Sequence, residues 1–139
     1  MARILSIDYG RKRCGIAVTD PLQIVATALA TVPSASLVKF LQDYTAAEPV
    51  EKIIVGYPTD MHGEPSESMK YIRPAVGQIR KALPEIEIVF SDERFTSVLA
   101  HRSLIDSGVK KMDRRDKGAI DRISAVIILN DYLNSRNII

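Results

Sequence analysis

The order of hydrophobic patterns predicts an α/β fold, a mixed sheet with helices on its faces. Three observations carry this. Two short apolar runs, residues 3–8 and 14–19, have Gly10 and the basic turn Arg11-Lys12-Arg13 between them, the pattern of a β-hairpin. The compact run Lys52-Ile53-Ile54-Val55-Gly56 has the character of a strand buried on both faces. Beyond the hairpin, stretches with helical spacing alternate with strand-like ones, giving the order β-β-β-α-β-α-β-α-α. At 139 residues the chain fits one domain, spanning 1–139, around one core.

Pro21 breaks the second strand. Gln23 to Val32, rich in β-branched residues and alanine, makes a third. Ser34 or Ser36 can cap a helix whose apolar positions are Leu37, Val38, Leu41 and Tyr44. Glu48-Pro49 stops it, and the buried strand at 52–56 follows. Residues 57–67 hold two prolines and a glycine and read as a loop. A helix is expected from about Ser68 to Leu83, with Ile72, Val76, Ile79 and Leu83 on one face. Pro74 falls inside it, so the helix should start later or be kinked. Residues 85–91 alternate as a strand that runs into Asp92-Glu93-Arg94. Thr96 or Ser97 can cap a helix through Ile105, residues 109–117 form a basic loop, and a last helix spans about Gly118 to Leu133.

Composition is that of an ordinary globular protein, 46% hydrophobic and 26% charged. No apolar stretch approaches the roughly 20 residues of a membrane span, and the N-terminus lacks a signal-peptide pattern. Cys14 is the only cysteine, which excludes an internal disulfide and fits a cytoplasmic protein. The formal charge of +2 says little about partners. Its distribution says more: Arg11, Lys12 and Arg13 crowd one segment, and Lys110, Lys111, Arg114, Arg115 and Lys117 crowd another.

Four carboxylates stand out by position. Asp8 ends the first strand, Asp92 and Glu93 end the last, and Asp121 lies in an otherwise apolar helix. If the first and last strands are neighbours, Asp8 and the Asp92-Glu93 pair meet at one sheet edge, and a helix over that edge adds Asp121. Carboxylates gathered in this way repel, and a shared divalent cation holds them ionised. All-oxygen ligands suit Mg²⁺ or Mn²⁺ rather than zinc, and two such ions suit phosphodiester hydrolysis. On the residues alone the alternatives stay open. Asp8 could be a turn former before Gly10, Asp92 and Glu93 could pair with Arg94 or Arg102, and Asp121 could share a solvent face with Lys117. His62 in the loop could move protons, whereas His101 reads as surface and Cys14 as core. There is no Gly-x-Ser-x-Gly elbow, phosphate-binding Walker loop, zinc spacing or dinucleotide fingerprint.

Four blocks, in order, resemble the YqgF family, also called RuvX. They are Asp8-Tyr9-Gly10-Arg11-Lys12-Arg13-Cys14-Gly15-Ile16-Ala17-Val18-Thr19-Asp20, Val55-Gly56-Tyr57-Pro58 with Gly63, Asp92-Glu93-Arg94-Phe95-Thr96-Ser97, and Lys117 with Asp121 and Ser124-Ala125. Ala75 departs from the family's usual phenylalanine, Pro74 is unusual, and Ser124 stands in place of alanine. The resemblance implies a ribonuclease H-like fold, a five-stranded mixed sheet with its second strand antiparallel. It also implies a metal-dependent nuclease of structured RNA, acting on the 5′ end of precursor 16S ribosomal RNA, with ribosomal precursor particles as possible partners. An earlier view of the family is resolution of branched DNA. By matching position, Asp8, Glu93 and Asp121 hold Mg²⁺ or Mn²⁺, with Asp92 the alternate for Glu93, while Arg94, Lys117 and Arg13 face phosphates. The basic turn and the loop with Lys110, Lys111, Arg114 and Arg115 would grip the backbone of nucleic acid. The rivals are a non-catalytic ribosome-assembly adaptor and a sugar-kinase or actin-like ATPase, which needs two such domains. A monomer and a homodimer are both compatible with the sequence.

Overall fold

The structure, a computed structural model, describes residues 2–57, 69–92 and 117–136, without the side chains of Tyr57, Asp92 and 117–120. Its elements are β1 (Arg3–Tyr9), β2 (Arg13–Thr19), β3 (Ala26–Pro33), α1 (Leu37–Ala47) after a short 3-10 turn, β4 (Val50–Tyr57), α2 (Met69–Ala82), β5 (Glu87–Asp92) and α3 (Lys117–Arg136). The expected loop 57–67 beyond Tyr57, the helix from Thr96 or Ser97, and most of the basic segment 109–117 lie outside the described residues, as do His62 and His101.

The five strands form one sheet in the order β3-β2-β1-β4-β5. The β1–β2 and β2–β3 pairs are antiparallel, and β1–β4 and β4–β5 are parallel. This is the mixed sheet expected, with one correction. β1 and β5 are not neighbours, because β4 lies between them. At about 4.8 Å per strand spacing, their ends stand two spacings apart.

Alternation along the strands divides the core into two layers. Leu5, Ile7, Ile16, Ile53 and Val55 pack with Leu37 and Leu41 of α1 and Ile72, Val76 and Ile79 of α2. Ile4, Ala17 and Ile54 pack with Ala125, Ile128, Leu129 and Leu133 of α3. β4 is therefore buried on both faces, as its unbroken apolar run requires. No helix among the described residues is long and apolar enough to cross a membrane.

Three local expectations are corrected. α2 begins at Met69, beside the expected Ser68, and carries Pro74 inside it, so the later start is the alternative that fails. Pro74 removes the bond to the carbonyl of Lys70, and both residues are exposed, so water can reach the freed oxygen. β3 begins at Ala26 rather than Gln23, because residues 20–25 are folded into a turn around Asp20. Ser36 holds the N-cap position of α1 but gives it no side-chain hydrogen bond, and Ser34 does not cap it. The Ser34 hydroxyl instead donates to the Gly10 carbonyl and contacts the Cys14 thiol, fastening the hairpin end.

Two glycines differ in what they permit. A Cβ on Gly15 would lie 1.9 Å from the Asp121 carbonyl oxygen, so α3 could not keep its place on β2. Gly77 of α2 has nothing within 4 Å. Gly15→Ala should destabilise the protein by about 1–3 kcal/mol or more in chemical denaturation. Gly77→Ala should stabilise it by about 0.5–1 kcal/mol. Equal effects would contradict this account of how α3 is seated.

Candidate active site

One row of residues runs across the sheet: Thr31, Gly15, Asp8, Gly56 and Ser91 are successive register partners. Asp8 thus lies between two glycines, one on each neighbouring strand. The row belongs to the α3 face. Ile4, of the same parity as Asp8, packs in the α3 layer, and Ser6 donates its hydroxyl proton to the Ala125 carbonyl at 2.6 Å.

The absent side chain of Gly15 lets the α3 backbone settle on β2 at Asp8's own register partner. Asp121 is carried there with it. The Arg13 Nε donates to Asp121 Oδ2 at 2.6 Å, and the Arg122 guanidinium donates to the Thr31 hydroxyl at 3.0 Å. These two bonds anchor the start of α3 to β2 and β3. The Cys14 thiol is pushed up chiefly by burial, partly relieved by its bonds to Ser34 and Gly10, and then raised further by the charges of Asp8 and Asp121. Both carboxylates therefore act on the same sulfur, although Cys14 itself packs in the opposite layer.

The basic turn closes over this edge. Gly10 is required there because a Cβ would lie 2.6 Å from the Arg13 carbonyl oxygen, which accepts the Gly10 N–H. A cavity of about 400 Å³ is lined by Gly10, Arg11, Lys12, Arg13 and Asp121. The Arg11 guanidinium rests 4.3 Å from the Tyr71 ring centroid, a cation–π contact that holds it to α2. A second cavity, of about 520 Å³, is lined by residues of other segments, among them Glu51 and Glu85, and no basic residue lines it.

Of the predicted carboxylates, Asp8 and Asp121 both border Gly15, Asp8 as its register partner and Asp121 through its backbone carbonyl. Glu93, Arg94, Lys110, Lys111, Arg114 and Arg115 lie outside the described residues, and the Lys117 and Asp92 side chains are not described. Asp92 pairs with Tyr57, one row beyond Asp8; Ser91 occupies Asp8's row. Among the described residues no three metal-ligating side chains gather. Asp8 and Asp121 offer oxygen alone, which suits a hard divalent cation, and the nearby Cys14 thiol packs in the opposite layer. Sequence reasoning assigns Arg13 to phosphate and misses its bond to Asp121, since the two are far apart in the chain. It also misses the flanking role of Gly15 and Gly56, which strand parity exposes only once the order of strands is known.

These features can be set beside known proteins. Residues 2–135 match the family model described as "RuvX: Holliday junction resolvase". The chain belongs to the RuvX family. A relative from Phocaeicola vulgatus, named "Putative pre-16S rRNA nuclease", is 55% identical over 139 residues, covering 100% of both chains. One of the same name from Porphyromonas gingivalis is 53% identical, covering 97% of this chain and 98% of the relative. The solved structure titled "T. thermophilus RuvC in complex with Holliday junction substrate" aligns with a TM-score of 0.61 at 15% identity, over 98% of this chain and 96% of that one. At that identity the likeness concerns the fold, and it agrees with the ribonuclease H-like architecture expected of a RuvX member.

The other strand-ending aspartate has a different fate. Asp20 accepts the backbone N–H groups of Val25, Ile24 and Leu22 at 2.7, 2.8 and 3.0 Å. These bonds, Val25's foremost, hold its carboxyl below the ordinary range. A lowered folded value means that the stabilisation is complete above the unfolded value of about 3.9 and is lost as pH falls through the folded one. The amide shifts of Leu22, Ile24 and Val25 should therefore titrate together by NMR, with a midpoint below about 3.9. A midpoint above that value would remove Asp20 from the turn's support.

Proposed function

We propose that this RuvX member is a divalent-metal-dependent nuclease that hydrolyses phosphodiester bonds of structured nucleic acid in the cytoplasm, with precursor 16S ribosomal RNA as its substrate. The observation that carries the reading is the placement of Asp8 and the Asp121 backbone at one residue, Gly15, next to the basic turn. Asp8 and Asp121 would hold Mg²⁺ or Mn²⁺ together with Glu93. Glu93 is the third ligand in this proposal, with Asp92 its alternate. A divalent cation bound there supplies a Lewis acid that activates water and stabilises the leaving oxygen. The chain's own work is to hold the two carboxylates at fixed spacing and to seat the phosphate. Arg11 and Lys12 flank the cavity and contact backbone phosphate independently of sequence. Lys110, Lys111, Arg114, Arg115, Lys117 and Arg94 extend that grip in this proposal.

The substrate assignment is supported by relatives more than half identical over 98% or more of their length. The family description supports a second reading, resolution of a four-way DNA junction on the same site. Cleavage of a precursor 16S leader RNA and of a labelled DNA junction, each with Mg²⁺, Mn²⁺ or EDTA, separates the two. RNA cleavage lost in EDTA is the expected result, and cutting of the junction alone would establish the second reading. Binding without cleavage of either would favour the adaptor. Asp8→Asn should slow cleavage by more than about a hundredfold, the upper figure for losing an outer partner of a metal ligand, with unchanged circular dichroism. Full activity in that variant would refute the site.

Replacing Arg11 and Lys12 by alanine should weaken RNA binding at every sequence tested. It should also reduce the slope of log affinity against log salt by about one for each phosphate no longer neutralised. An unchanged slope would take the turn out of the interface.

A further inference from the structure

We propose that Arg13 is a displaceable stand-in for the cation at Asp121, and that this ion pair sets how tightly the site takes a divalent metal. The inference rests on the metal-dependent reading above. The Nε–Oδ2 separation is 2.6 Å, the shortest ion pair among the described residues. Both partners are fixed at the backbone, Arg13 through its carbonyl bond from Gly10 and Asp121 through the seat of α3 on Gly15. The contact is therefore built into the hairpin and the helix, not an accident of two long surface side chains. Asp121 needs a countercharge beside Asp8, and Arg13 is placed to give it. Arg122, the adjacent cation on α3, bonds to Thr31.

The pair is also able to open. The Arg13 and Asp121 side chains keep 35% and 22% of their exposure, and the guanidinium borders the cavity shared with Arg11 and Lys12. Once displaced from Asp121, it stays in the wall that meets phosphate. A divalent cation and the guanidinium compete for Oδ2, so whatever draws Arg13 away tightens the metal. By linkage, metal and phosphate each favour the other's binding.

The test is binding of Mn²⁺ alone to the full chain, with free ion followed by electron paramagnetic resonance. Arg13→Gln should bind Mn²⁺ about two- to fivefold tighter than wild type, the range expected for losing a partly exposed ion-pair competitor. Arg13→Lys, which keeps the charge, should stay near wild type, and Asp121→Asn should bind more weakly. In the wild type, saturating Mg²⁺ should move the Arg13 Nε–H resonance from its hydrogen-bonded position. Wild-type Mn²⁺ binding that is lost in Asp121→Asn yet unchanged in Arg13→Gln would overturn the stand-in and leave the metal site intact. An unmoved Arg13 resonance with Mg²⁺ bound would do the same without any variant. No Mn²⁺ binding by wild type would overturn both.

Discussion

The contact between the α3 backbone and Gly15 is the constraint on which the site depends. A helix normally packs on a sheet through interleaved side chains, which keep the two backbones apart. Here one residue without a side chain lets the Asp121 carbonyl occupy the space a Cβ would take. Small residues continue the seam, with Ala17 and Ala125 in the same layer. Farther along, Ile128, Leu129 and Leu133 press the helix down, each worth roughly 1.5–3 kcal/mol when fully buried. The polar bonds are weaker, about 1 kcal/mol net, but they set register: Ser6 to Ala125 and Arg122 to Thr31 allow one placement of α3 along the strands. Ser124 is buried with no hydrogen-bond partner for its hydroxyl among the described residues, so at that position small size is what the packing uses.

From that seat the electrostatics follow. The Asp121 carboxylate, carried to Gly15 beside Asp8's place in the row, is met by Arg13 from the first residue of β2. The same hairpin turn that supplies Arg13 exposes Lys12 and Arg11 beside it. The basic turn thus follows directly on the strand that carries Asp8, while Asp121 reaches the same place from α3. Gly10 keeps the turn tight.

Much of this is legible in the sequence, for a physical reason. Patterns of period two and 3.6 report burial within one element, so β1, β2, β4, α1 and α2 stand close to where their apolar spacing places them. The identity of neighbouring strands is a long-range fact that no local pattern contains. The intervening β4 cannot be read from residues around Asp8, and neither can the bond from Arg13 to Asp121. Pro74 defeats a local reading because its cost depends on whether the freed carbonyl meets water, and that depends on which face of α2 turns outward.

Asp8 and Asp20 show how far residue type alone can carry a functional argument. Both close an apolar strand of the same hairpin, and both are followed by a turn. Strand direction separates them. β1 and β2 run antiparallel, so Asp20 follows the end of β2 at the edge opposite to Asp8. There its oxygens are saturated by three backbone N–H groups of its own loop. Asp8 stays within its strand, with Gly15 and Gly56 as register partners, and the α3 backbone at Asp121 fills the space over Gly15. A carboxylate already satisfied by its own backbone has little to offer a cation. A carboxylate at Asp8, whose strand partner Gly15 also seats the Asp121 backbone, is the one the proposed metal site draws on, because a shared cation offsets the repulsion of neighbouring carboxylates.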